Sequence, residues 1–278
     1  MRKRLSESQL MEKARQLRIS LVDMLYRAGS GHPGGSLSAI DILNVLYNNV
    51  MKHDPLDLNM PDRDHFFLSK SHCTPALYTV LADCGYFDAA ELKTLRKFGS
   101  ILQGHPAADK TPGIEVSAGS LGQGLSIAVG VAIASKLDNK SNRVYCMIGD
   151  GECQEGEIWE AAMSAGFYKL DNLCGILDAN RLQIDGLVEN VMDINPIKEK
   201  WLAFNWNVLE IDGHNITEIE EAFAKAEQHK GKPTMIIAHT IKGKGVSYME
   251  NVASWHGVTP NKEQYEQALA ELNSMEVK

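Results

Sequence analysis

Val144-Tyr145-Cys146-Met147-Ile148-Gly149-Asp150-Gly151-Glu152 and Leu173-Cys174-Gly175-Ile176-Leu177-Asp178-Ala179-Asn180-Arg181-Leu182 follow one pattern. An apolar run suited to a buried strand ends in a turn that carries an oxygen ligand. Runs without polar alternation belong to strands covered on both faces, as in a parallel sheet. Each turn then leaves the C-terminal end of its strand, the edge where open α/β sheets bind ligands.

Asp150 offers a carboxylate oxygen, Asn180 an amide oxygen and Leu182 a backbone carbonyl, while Gly151 lets a phosphate approach the main chain. With phosphate oxygens and a water, three such ligands satisfy octahedral Mg²⁺. A Gly-Asp-Gly by itself is as often a tight turn closed by an Asx hydrogen bond. The paired strand ends, with a helix-length segment between them, point instead to a hard cation and a phosphate.

Outward from this pair, Phe66-Phe67-Leu68-Ser69 reads as a short strand, and residues 206–211 and 233–240 as two more, with a helix over 218–228 between them. The alternation over residues 143–240 predicts an α/β fold, a doubly wound parallel sheet with helices on both faces. Further helices are expected over 9–28, ended by Gly29, through Ile40 to Tyr47, from Thr74-Pro75, over 88–98, from Gly124 through Ala134, and from the acidic turn at Glu155 to about Tyr168. The whole chain, 1–278, reads as one domain with an N-terminal helical extension and a loop-rich C-terminal tail.

Histidines recur in loops: Gly31-His32-Pro33, Ser71-His72, Gly104-His105-Pro106 and His256-Gly257. Each taken singly is equally an ordinary loop residue. Gly119-Ser120-Leu121-Gly122-Gln123-Gly124 reverses the dinucleotide fingerprint and follows no strand, so it is not a Rossmann turn, and no P-loop occurs. The helix after it is low in bulk, so another helix or a subunit must pack closely on it, with Ala128 as the position that tests a subunit contact.

The formal charge of −8 argues against a nucleic-acid partner, and the only basic cluster, Arg2-Lys3-Arg4, reads as a solvated chain end. Five cysteines, odd in number and without a C-x-x-C pair, fit reduced thiols in the cytoplasm. No apolar run approaches eighteen residues and no signal peptide is seen, so no membrane association is expected.

Taken together and in order, Ser30-Gly31-His32-Pro33-Gly34, Leu68-Ser69-Lys70-Ser71-His72, Gly104-His105-Pro106, Gly119 to Gly124, Gly149 to Glu152, Asp178 to Leu182 and His256-Gly257 resemble the diphosphate-binding half of transketolase. The match runs in register from about residue 15 to 260. The resemblance implies thiamine diphosphate and Mg²⁺ as cofactors, with Asp150, Asn180 and the Leu182 carbonyl on the metal. It implies a cofactor-binding set of His72, Gly119, Leu121, Gly151, Glu152, Asn180 and His256. His32, His105 and His256 become the catalytic set, lining the substrate channel, holding sugar hydroxyls and moving protons, for which imidazole has a suitable pKa. Glu155 and Glu160 match acids between the two active sites of a dimer, and equally complement the dipole of the helix they open.

About forty residues follow the last expected strand, fewer than a further domain of roughly 100 residues needs. The chain is therefore expected to be the N-terminal subunit of a split transketolase, transferring a two-carbon ketol unit between sugar phosphates. Its partner would be a C-terminal subunit carrying the pyrimidine-binding domain and the activating glutamate, in an α2β2 assembly, and the chain alone would be inactive. The α subunit of a 2-oxo acid dehydrogenase and a non-catalytic cofactor-holding subunit are the competing readings. Gly35, Ser71 and Cys73 depart from the transketolase pattern.

Overall fold

The computed structural model describes residues 4–275. Arg2 and Lys3 of the basic cluster lie outside these residues, while Arg4 forms an exposed ion pair with Glu220 at 3.0 Å. Helix α1 (Glu7–Ala28) starts in a capping box between Ser6 and Gln9 and ends at Gly29, whose φ of 60° supplies the left-handed cap. Helix α2 (Pro33–Val45) begins with its proline in the first turn, so His32 stands at its N-cap. Strand β1 (His65–Leu68) passes through a tight turn at Ser71–Cys73 into α3 (Thr74–Cys84). Then come α4 (Gln123–Leu137), β2 (Val144–Gly149), α5 (Gly156–Phe167) and β3 (Leu173–Ala179). A small hairpin, β4 (Leu182–Gln183) and β5 (Gly186–Leu187), leads to α6 (Val188–Val191) and α7 (Ile197–Ala203). The chain closes with β6 (Asn207–Asp212), α8 (Ile216–Gln228), β7 (Thr234–His239) and α9 (Lys262–Ser274).

The five long strands form one parallel sheet in the order β1-β2-β3-β7-β6. Alternation along each strand divides the core in two. Tyr145, Met147, Cys174, Ile176, Ile236 and Ala238 face the cluster built on α1, α2, α3, α8 and α9. Val144, Cys146, Ile148, Leu173, Leu177, Met235 and Ile237 face the cluster built on α4, α5 and α7. This is the expected parallel sheet with helices on both faces. Its central register pairs Gly149 with Asp178 and Asp178 with Ala238, so the turns after β2, β3 and β7 emerge side by side at one edge.

Two expectations are corrected and a third is extended. Residues 88–98 do not make an α-helix: Asp88 caps a short 3-10 turn, Ala89–Thr94, and Arg96 then adopts a φ of 60° that no right-handed helix continues through. The C-terminal tail, expected to be loop-rich, also carries a helix the expectation did not name: a second capping box, Asn261 with Gln264, starts α9, which buries Ala268 and Leu272. Ala128 is no subunit contact; it is fully buried with Leu125 and Ala132 under α4, so an arginine there would break the core.

Candidate active site

Asp150 and Asn180 follow neighbouring strands and are 5% and 6% exposed. One Asp150 oxygen accepts from the Gly151 N–H at 2.7 Å, the other from the Arg181 N–H. The Asn180 side-chain oxygen accepts from the Leu182 N–H at 3.1 Å. The Asx turns and the oxygens expected to bind a metal are thus one arrangement, in which the turn bonds orient those oxygens. Asp150 has no ion-pair partner among the described residues; burial first, then the charge of Asp178, pushes its carboxyl up to about 6. A cleft of about 180 Å³ opens beside it, lined among others by Lys70, His72, Leu121, Gly151, Gln183 and Lys242.

Two buried lysines dominate that cleft, and sequence reading did not single them out. Lys70 pairs with the fully buried Asp178, which also accepts from Ser38 Oγ at 2.6 Å and from Thr240 Oγ1. Burial opposes the Lys70 charge, but Asp178 outweighs it and holds the ammonium above its ordinary pKa. Lys242 is 1% exposed and has no carboxylate partner among the described residues. Its ammonium donates to the Leu182 carbonyl at 3.1 Å and to His256 Nδ1 at 3.0 Å, and burial, then Lys70, lowers its pKa. The available signal was placement: each lysine stands two or three residues past an apolar strand, where the sheet edge encloses it.

Glu152 lines the cleft, but its carboxylate is occupied. It accepts from Ser69 Oγ, from the Gly122 N–H at 2.8 Å and from the Gly149 N–H at 2.9 Å, tying the glycine-rich turn to the end of β2. Gly124 is required by the same junction: a Cβ there would lie 2.6 Å from Ser69 Cβ and 2.7 Å from its Cα. Leu121 reaches the cleft, whereas Gly119 sits in the exposed part of the loop and is not among the lining residues.

The four loop histidines converge. The rings of His72 and His256 stack at 4.9 Å, His32 meets each edge-on at 5.6 Å, and the exposed His105 lies 6.3 Å from His32; of the four, His72 and His256 line the cleft. Burial, followed by Arg96, lowers His32 to about 4; burial, followed by Lys242, lowers His256 to about 3; burial also lowers His72 and His105. In each the shift favours the neutral ring, which can exchange hydrogen bonds with hydroxyls without adding charge. Two of the departing residues touch: a Cβ on Gly35 would lie 2.8 Å from Cys73 Sγ, so the thiol fills the space the glycine leaves beside His72.

A carboxylate without a cation, an ammonium without an anion, and an amide and a carbonyl oxygen share one buried edge. That donor set fits a divalent cation bridged to a diphosphate, which neutralises both lone charges together. Comparison with known proteins bears on the diphosphate. Residues 8–274 match the family described as transketolase, thiamine diphosphate binding domain. The chain is 46% identical over 253 residues to an apulose-4-phosphate transketolase subunit from Phocaeicola vulgatus, covering 91% of this chain and 90% of that protein. It is 44% identical over 270 residues to the 6-deoxy-6-sulfo-D-fructose transketolase subunit SqwG of a Clostridium species, covering 96% and 98%. The solved transketolase of Leishmania mexicana superposes with a TM-score of 0.91 at 30% identity, over 99% of this chain but only 43% of that one.

Proposed function

Because this chain belongs to the transketolase family, as its thiamine diphosphate-binding domain, we propose that it is the N-terminal subunit of a two-chain transketolase. The observation that carries this is that Lys242 and Asp150, two buried groups with no ion-pair partner among the described residues, line one cleft together with His72 and His256. Asp150, Asn180 and the Leu182 carbonyl would hold Mg²⁺, and Lys70, Lys242, His72 and Gly151 the diphosphate. Bound there, thiamine diphosphate would supply carbanion chemistry that no protein side chain offers. The chain's own residues orient and exchange protons: neutral His32, His105 and His256 hold the sugar hydroxyls, and the buried edge excludes water.

The two relatives that the chain spans almost end to end are named as subunits, which supports a second chain as the other half of the site. That partner would bring the pyrimidine-binding domain and the activating glutamate, two pairs making α2β2. These relatives do not favour the 2-oxo acid dehydrogenase reading. A cytoplasmic location agrees with five free, buried thiols. Pentose phosphates are the default substrates; apulose 4-phosphate and 6-deoxy-6-sulfo-D-fructose enter the panel because those relatives are named for them.

The test is cofactor-dependent ketol transfer from xylulose 5-phosphate to ribose 5-phosphate, and from the two named sugars, by the tagged chain recovered from its own cells and by the chain made alone. Activity only in the recovered sample, with a second chain attached, is the expected result. No transfer from any donor with the second chain present would overturn the assignment.

A further inference from the structure

Arg96 is a residue that neither the motifs nor the proposed chemistry explains. It adopts a φ of 60°, a left-handed backbone that costs a non-glycine residue about 1 kcal/mol. Its N–H closes the loop onto the Leu102 carbonyl at 2.9 Å. From there the guanidinium reaches two histidine loops. It donates to Ser30 Oγ at 2.8 Å and to the Gly104 carbonyl at 3.4 Å, and one amino group lies 3.5 Å from His32 Nδ1. Gly104 leaves room for it, since a Cβ there would stand 3.0 Å from Arg96 Nε and 3.1 Å from Cζ. Arg96 Nε is itself buried, with no hydrogen-bond partner among the described residues. One side chain therefore spans the loops of His32 and His105.

A guanidinium has donors and no acceptor, so the nitrogen of His32 that faces it must offer a lone pair. The single proton of the neutral ring then sits on Nε2, at the edge next to Gly257, where a Cβ would lie 3.7 Å from that nitrogen. The groups facing His32 are Arg96, His105, His72, His256 and Lys242, each positive or neutral, and they oppose a second proton on the ring.

We propose that Arg96 is a positioning residue that fixes His32 in the Nε2-protonated, neutral tautomer, presenting an uncharged donor to the oxygen of a bound sugar. This rests on the sugar-transfer reading for its purpose but not for its geometry. An uncharged donor holds a hydroxyl or carbonyl oxygen without adding a further cation beside Lys70 and Lys242. The backbone strain at Arg96 has the same source, because an ordinary helical turn would carry the guanidinium away from both loops.

The experiment uses the intact chain with isotopically labelled histidine nitrogens, its His32 signals assigned by their loss in His32→Gln. Nuclear magnetic resonance of the unsubstituted chain at neutral pH is expected to show a bare Nδ1 and a protonated Nε2. In Arg96→Gln, checked for folding by circular dichroism, the two tautomers should mix and the His32 titration midpoint should rise toward its ordinary value of about 6.5. With the partner chain present, the same variant should lose about tenfold or more in kcat, with cofactor affinity held within about twofold. A proton on Nδ1 in the unsubstituted chain, or an unchanged tautomer in a folded Arg96→Gln, would overturn the assignment. The expected tautomer in a chain that transfers no sugar with its partner would uphold Arg96 and overturn the transketolase reading, so the two failures are distinct.

Discussion

Lys242 shows how this site holds a buried charge that has no ion-pair partner among the described residues. Its ammonium is buried and repelled by Lys70, and its hydrogen bonds among the described residues go to the Leu182 carbonyl and His256. Burying a cation without an anion is unfavourable, so its removal costs the empty chain little while depriving a diphosphate of a charge-assisted donor. Lys242→Met is expected to change unfolding free energy by less than about 1 kcal/mol and to weaken thiamine diphosphate binding by about tenfold or more, read by denaturant titration and calorimetry. Asp150→Asn should abolish Mg²⁺-dependent cofactor binding, while the cofactor-free chain, relieved of a buried carboxylate, melts no lower than the unsubstituted one. Gly124 sets a steric limit: its alanine variant forces a methyl against Ser69 and should destabilise by about 1–3 kcal/mol, seen as a lower denaturation midpoint.

At the scale of elements, a buried network fixes the segment that carries Lys242. Arg18 on α1 makes two hydrogen bonds to Asp41 on α2, at 2.8 and 2.5 Å, and a third to the Lys244 carbonyl at 3.2 Å. His214 before α8 bonds Asp41 through Nδ1 at 2.7 Å and accepts the Ile241 N–H at Nε2 at 2.8 Å. Burial would raise the Asp41 carboxyl, but Arg18 and His214 outweigh it and hold it down to about 2. The folded value lies below the unfolded one, so this stabilisation is full above about pH 4 and is lost as pH falls toward 2. Acid titration of the unfolding free energy should show that loss, on the order of 2 kcal/mol, and Asp41→Asn should remove it. The variant also strands Arg18 and should cost about 3–5 kcal/mol at neutral pH.

At the scale of the molecule, the site lies on one edge of a parallel sheet whose two faces are already covered, and the proposed partner would meet it at that edge. Mixing the chain with its partner should restore cofactor-dependent ketol transfer that neither shows alone, and should raise the melting temperature in a concentration-dependent way. Half-buried histidines set a lower pH bound on such an assembly. His32 and His256 have folded values below the unfolded one, so acid favours the unfolded chain progressively below about pH 6.5.

The parallel sheet, the strand ends bearing Asp150 and Asn180, and the histidine loops were legible in the chain because each is a local pattern: a run of buried-strand residues, then a turn chemistry. The hairpin after β3 and helix α9 were legible too, in Asp185-Gly186 and in the Asn261 and Gln264 capping box, although neither was read as such. What only the tertiary structure decided concerns partners far apart in sequence. Glu152 spends its carboxylate on Ser69 and two glycines, Gly35 makes room for Cys73, and Ala128 faces the core instead of a neighbour. Lys70 is balanced by Asp178 while Lys242 is not, and Arg96 joins the His32 and His105 loops. Those outcomes follow from which strand ends the register sets side by side, and charge, burial and tautomer depend on distances through space that no local pattern encodes.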